Sequence, residues 1–208
     1  MGANMISSFD LIAILPEIFL LVLIAIIMVV DIFRKKQANG TTLGWITFSG
    51  LLIIILITLF FLSPGNTTQY AWGGMIRVDA ASFTFQLIVM VGAAITTLFS
   101  MNHQEVRDKG EYFAMLLLSV IGMSMMAAAS NIILLYLAIE TTAIPLYVLV
   151  GFLTKNNLSI ESGLKFFLFG AFTSAVLLYG FSLLYGFTGS THYPAILEIG
   201  RASCRERV

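Results

Sequence analysis

Glu140 is the residue on which any chemistry of this chain would turn. It is the one charged residue in the stretch 132–152, which is otherwise apolar or uncharged and long enough to cross a bilayer. A charged side chain at a bilayer centre costs from about 3 kcal/mol on insertion scales to more than ~10 kcal/mol in simulations, so such residues are rare and face a bundle interior or a water path. At about 1.5 Å per residue, Glu140 lies roughly 12 Å from one end of this helix and roughly 18 Å from the other. That is too deep to reach either surface easily. Five residues later, Pro145 lacks the amide that would bond the carbonyl of Thr141, and its ring crowds that turn, so a kink or loosening is expected beside the carboxylate. The freed carbonyl, the hydroxyls of Thr141 and Thr142 and ordered water would then solvate Glu140, an arrangement suited to a proton relay. The plain alternative is a neutral glutamic acid hydrogen-bonded to a neighbouring helix as packing glue.

Lys165 is the second ionisable candidate. It follows Glu161 at the spacing that favours an ion pair, and Glu161 suits the positive end of a helix starting near Ser159. A lysine in the first two turns opposes the helix dipole, so a buried carboxylate or a water-filled path is needed to keep it there. The alternative is a lysine that snorkels to a surface roughly 9 Å away while its stem covers apolar neighbours. The sequence leaves both open. In an antiparallel hairpin of the two helices, the backbones of Glu140 and Lys165 differ in level by about two turns, which favours a water-bridged relay over direct contact.

Other polar residues carry less. Glu17 follows Pro16 where both suit a first helical turn. Asp31 is expected as a solvated ion pair with Arg34 and Lys35. His103 reads as a surface residue, and Gly163, Gly170 and Ser174 fall on one helix face that permits close packing. No phosphate loop, nucleophile elbow or paired-carboxylate hydrolase site is present.

The elements that must position these residues follow from composition. The chain has 208 residues, 59% hydrophobic and only 11% charged, against roughly 25% charged in a soluble domain. It is an integral membrane protein, all-α, read as a polytopic bundle of six helices at 11–30, 43–62, 83–101, 112–129, 132–152 and 162–185. Its 11 basic and 11 acidic residues, with no basic cluster among aromatics, exclude nucleic acid as a partner. A single cysteine, Cys204, leaves no disulfide, zinc knuckle or iron–sulfur ligand set.

The first span is expected to be retained, because Arg34, Lys35 and Lys36 follow the apolar run and no cleavage site closes it. Loop charge sorts the ends: one set of loops carries Arg34, Lys35, Lys36, Arg107, Lys109 and Lys155, the other only Arg77. The positive-inside rule then puts the N-terminus outside. Between the second and third spans, residues 70–79 alternate around Gly73-Gly74 and read as a surface hairpin or re-entrant ribbon, with Tyr70 and Trp72 suited to the aromatic belt. Residues 199–208 abandon the membrane pattern and look like translated adapter sequence, so 1–198 is expected to be the N-terminal part of a longer protein.

The stretches 134–152, with Glu140, Pro145 and Tyr147, and 161–172, with Leu164-Lys165-Phe166-Phe167-Leu168 running into Gly170-Ala171-Phe172, resemble the antiporter-like membrane subunits of bacterial NADH-quinone oxidoreductase, respiratory complex I. The residues after the lysine favour the subunit N group over the L and M groups. The resemblance implies a subunit of a redox-driven proton pump in the bacterial inner membrane. NADH and quinone would be substrates of the whole complex, with no flavin, cluster, nicotinamide or metal on this chain. Other complex I membrane subunits and the lipid bilayer would be its partners. Glu140 would be the loading or gating carboxylate of a proton channel and Lys165 part of a lysine chain along the membrane axis, with the remaining helices outside this chain. A multisubunit sodium/proton antiporter or membrane-bound hydrogenase subunit is the second reading, and a passive membrane anchor the third.

Overall fold

A computed structural model describes residues 8–33, 41–61 and 67–198. A short α1 (Ser8–Ala13) precedes six long helices: α2 (Leu15–Phe33), α3 (Thr42–Phe61), α4 (Ala80–Met101), α5 (Gly110–Ala128), α6 (Ile132–Val150) and α7 (Asn157–Thr188). Each of the six has at least 19 residues and is apolar enough to cross a membrane, so at about 1.5 Å per residue each exceeds roughly 28 Å. The all-α, six-span bundle read from hydropathy is the observed architecture. The segment 199–208 lies outside the described residues, as do Arg34, Lys35 and Lys36.

Two boundaries differ for local reasons. The span expected at 11–30 is split, because the chain turns at Ile14 and α2 starts at Leu15, which puts Pro16 in a first helical turn where its missing amide costs nothing. The span expected at 162–185 begins five residues earlier. The Asn156 side chain caps α7 by accepting the Leu158 amide at 3.0 Å, and the helix runs on to Gly189, whose φ of +64° ends it in the left-handed region. Hydropathy misses this polar first turn because it does not belong to the bilayer.

α5 lies at the centre of the packing, against α2, α3, α4 and α6. Leu20, Ile27, Leu51, Met90, Phe113 and Leu117 are fully buried between these helices. Thr47, Thr58 and Thr97 are buried as well, and each donates to the carbonyl four residues back at 2.8 Å, so no hydroxyl is stranded. α7 rests chiefly on α6, and only Gly163 and Gly170 of its length are buried.

At one end, strands β1 (Gln69–Ala71) and β2 (Ile76–Val78) pair antiparallel and lie across the helix ends as a surface hairpin. The Ser130 amide donates to the Met75 carbonyl at 2.8 Å, and Ala71, Ile76 and Ala128 close an apolar seal with Phe9, Ala13 and Ile14. The hairpin turn has three successive positive φ values, +52° at Trp72, +65° at Gly73 and +85° at Gly74, which explains the glycine pair. Trp72 does more than sit in an aromatic belt: its backbone amide donates to Asp10 Oδ1 and its indole Nε1 to the Asp10 carbonyl, both at 2.8 Å.

At the opposite, basic end Asp31 makes a contact across the bundle, while the ion pair expected with Arg34 and Lys35 falls on residues outside the described ones. Asp31 Oδ2 accepts the Gly110 amide at 3.1 Å, so it caps the first turn of α5 across the bundle. An anion at a helix N-terminus is favoured by both the unpaired amides and the dipole.

Candidate functional site

Glu140 is the ninth of 19 residues in α6, with Tyr136 one turn earlier engaging its carboxyl group. Glu140 Oε1 is buried and has no hydrogen-bond partner among the described residues. A buried carboxyl oxygen without a polar neighbour is costly at mid-helix unless a proton or a water reaches it. The expectation that Thr141 and Thr142 solvate it is not met. Thr141 Oγ1 donates to the Leu137 carbonyl at 2.8 Å and Thr142 Oγ1 to the Ala138 carbonyl at 2.9 Å, so both hydroxyls are spent on their own helix. Such back-bonding competes well because the acceptor is one turn away and already oriented. α6 runs unbroken through Pro145, which is buried. Its chemical consequence is confined to the Thr141 carbonyl, which receives no amide from that position.

The turns flanking Glu140 border open space on two sides. Thr142, Ala143, Tyr147, Phe166 and Gly170 line an open cavity of about 370 Å³ between α5, α6 and α7. Tyr136, Leu137, Phe181 and Tyr185 line another of about 350 Å³. Gly163 packs on Gly151, and Gly170 packs on the Tyr147 ring, which is edge-on to Phe166 at 5.0 Å. These two glycines take the close-packing role expected of their face, whereas Ser174 is only half-buried.

Lys165 forms an ion pair with Glu161 on an exposed face of α7, both side chains being more than half accessible. Because α7 begins at Asn157, Lys165 is its ninth residue. The dipole conflict that singled it out therefore falls away, since that field fades beyond the first turn. At about 100° per residue it points roughly 140° away from Gly170 and 160° away from Gly163, the two residues that meet α6. The packing of α6 and α7 does not bring Lys165 to Glu140.

Glu17 is the residue that sequence reasoning undervalued. It is 6% exposed, sealed between α2, α4 and α5, with Ser124 Oγ donating to its Oε1 at 2.6 Å and Gln86 Nε2 at 3.5 Å. The signal available was a polar residue inside each of three apolar spans, but nothing in a single sequence says that those three faces meet. Among the described residues, no three His, Cys, Asp or Glu side chains converge as a metal set.

Residues 129–206 match the family model described as NADH:quinone oxidoreductase/Mrp antiporter, TM. NADH-quinone oxidoreductase subunit N of Rhodospirillum rubrum is 35% identical over 190 residues, covering 90% of this chain and 39% of that relative. The Desulfovibrio desulfuricans protein of the same name is 36% identical, covering 88% and 36%. The chain thus spans about two-fifths of the length of the curated relatives it matches. Among solved structures, a chain of respiratory complex I from Thermus thermophilus with bound aureothin superposes with a TM-score of 0.68 at 26% identity, covering 85% of this chain and 38% of that one. A chain of the membrane-bound sulfane sulfur reductase, an archaeal respiratory membrane complex, shares the fold with a TM-score of 0.71 at 22% identity, covering 88% and 39%.

Proposed function

The chain belongs to the antiporter-like membrane-subunit family of NADH-quinone oxidoreductases, and from that premise we propose that it forms part of a proton channel coupled to quinone reduction. The observation that carries this reading is Glu140, a lone carboxylate at mid-helix whose Oε1 is buried and has no hydrogen-bond partner among the described residues. Ionisable groups placed inside membrane spans mark proton relays and ion paths. In this reading Glu140 loads and unloads the proton, Pro145 leaves a backbone carbonyl open to water one turn away, and Lys165 passes the proton onward along the membrane axis.

The partners are other membrane subunits of the complex together with lipid. NADH oxidation and quinone reduction belong to the complex as a whole, and this chain binds no redox cofactor. Since the matched model's description also names an antiporter, a sodium/proton antiporter subunit is the second reading. Dependence of transport on sodium would favour it, and sodium-independent proton movement the first.

Loop charge supports a bacterial inner-membrane orientation with the hairpin end and the N-terminus outside: among the described residues, Arg107, Lys109 and Lys155 lie at the opposite end and Arg77 at the hairpin end. In a Cys204→Ser background, single cysteines at Gln104 and Asn156 are expected to resist a membrane-impermeant maleimide in intact cells, and one at Thr67 to react. Labelling of the first two from outside would invert the orientation.

Lys165→Arg in the full-length protein is expected to assemble normally and to lower pumping several-fold, because arginine keeps the charge but does not release its proton at working pH. The check is proton uptake in membranes against subunit content. Pumping at the wild-type rate would reduce Lys165 to the fixed half of its ion pair with Glu161.

A further inference from the structure

The buried contact of Glu17 with Gln86 and Ser124 has no part in the Glu140 relay. Each side chain comes from a different helix, roughly 3, 9 and 6 Å, respectively, from the helix end that faces the hairpin. Glu17 Oε1 takes both contacts, while Oε2 is buried with no partner among the described residues. Neither neighbour is charged, and no ion pair among the described residues includes Glu17. An ionised carboxylate would leave a buried charged oxygen with no polar neighbour among the described residues, whereas a proton on Oε2 removes that charge.

The surrounding elements offer no nearby substitute for that proton. α3 and α4 contain no ionisable side chain, and α5 has Glu111 and Tyr112 only at its far end. The hairpin brings Tyr70, Arg77 and Asp79, the last two paired at 3.1 Å; His192 packs against Gly74 and Tyr193 lies near Arg77, on the hairpin side rather than in the Glu17 pocket, and α1 brings Asp10.

The bundle end next to Glu17 and Ser124 is closed by Phe9, Ala13 and Ile14 packed against Ala71, Ile76 and Ala128. α1 has six residues, too few to hold together alone, and it is tied down by Asp10 through two bonds from Trp72. Trp72 itself is held at φ +52°, a conformation that bulky residues seldom adopt and that persists only where its surroundings enforce it. A short helix fastened by a strained residue is a natural place for local opening.

We propose that Glu17, Gln86 and Ser124 form a second proton-binding site, separate from Glu140, which exchanges its proton with the aqueous phase at the hairpin end when the Asp10–Trp72 clasp opens. The proton comes from water on that side, resides on Glu17 Oε2, and returns the same way; no other bond changes.

The test is labelling of the full-length protein within its complex by dicyclohexylcarbodiimide, which adds to carboxylic acids that hold their proton in apolar surroundings. Peptide mass spectrometry reads each carboxyl separately. Adduct on Glu17 is expected to decline as pH rises and to form about tenfold faster in Asp10→Ala, the scale set by losing a hydrogen bond to a charged group. Asp10→Asn, which keeps the Oδ1 acceptor, should react at the wild-type rate. If Asp10→Ala does not assemble, Trp72→Phe removes only the indole donor and provides the same comparison. No adduct on Glu17 in either protein, an adduct indifferent to pH, or equal rates in the wild type and the variant with a weakened clasp would overturn the proposal. Glu140 is scored in the same digest and none of these readings requires pumping, so the result is independent of the fate of the Glu140 relay.

Discussion

Glutamine in place of Glu140 in the full-length protein is expected to cut proton-coupled quinone reduction by roughly tenfold or more while the subunit assembles normally. The magnitude is at or below the usual worth of one positioned proton-transfer group. Glutamine keeps the length, planarity and hydrogen-bonding capacity of the side chain, so the contact from Tyr136 and the packing of α6 have no reason to change. Only the exchangeable proton is lost. Aspartate retains that proton but withdraws the carboxyl by one methylene, about 1.5 Å, so Glu140→Asp should keep part of the activity. Both are checked by quinone reductase rate and proton pumping in membranes, with assembly followed on a native gel. Full activity of the glutamine protein would make Glu140 a packing residue.

A second large effect is expected at Gly122, where α5 packs against the backbone of α6. A Cβ built there meets the Thr142 hydroxyl, lies 2.6 Å from the Thr142 amide nitrogen and 2.9 Å from the Ala138 carbonyl oxygen. Backbone atoms cannot rotate away as a flexible side chain can. Alanine must therefore push α6 outward, at a cost of about 1–3 kcal/mol for an overpacked interior, and valine must do worse. The displaced turn is the one between Ala138 and Thr142, which carries Glu140. Gly122→Ala is expected to lower the unfolding temperature of the solubilised protein and slow pumping, and Gly122→Val to prevent assembly. Gly92→Ala is the control, since nothing lies within 4 Å of its Cβ. A Gly122→Val protein as stable as wild type would show that α5 and α6 are not tightly coupled.

The bundle was legible because membrane spans are defined by length and apolarity, which a single sequence displays directly. α2 to α7 accordingly stand where hydropathy put them, apart from ends governed by capping. Glu140 was legible for the same reason, since one charge among apolar residues is conspicuous. Tertiary facts were not. Thr141 and Thr142 had two possible acceptors, and the backbone one turn back was the nearer. Lys165 looked displaced only while its helix was taken to start near Ser159; the Asn156 cap moved it into the third turn. Asp31 also accepts an α5 amide 79 positions away, a contact that its chain neighbours do not signal. Glu17 was read as an ordinary first-turn acid because its partners, Gln86 and Ser124, lie 69 and 107 positions away. Gly122 carried no signal either, because close approach is a property of two helices.

The most direct measurement is infrared difference spectroscopy of the full-length complex before and after quinone reduction, comparing wild type with Glu140→Gln. Proton exchange at Glu140 during turnover predicts a carboxylic-acid carbonyl band that changes on reduction, shifts in heavy water, and is missing from the glutamine protein. Identical difference spectra in the two proteins would contradict it and leave Glu140 a residue that holds α6 in place.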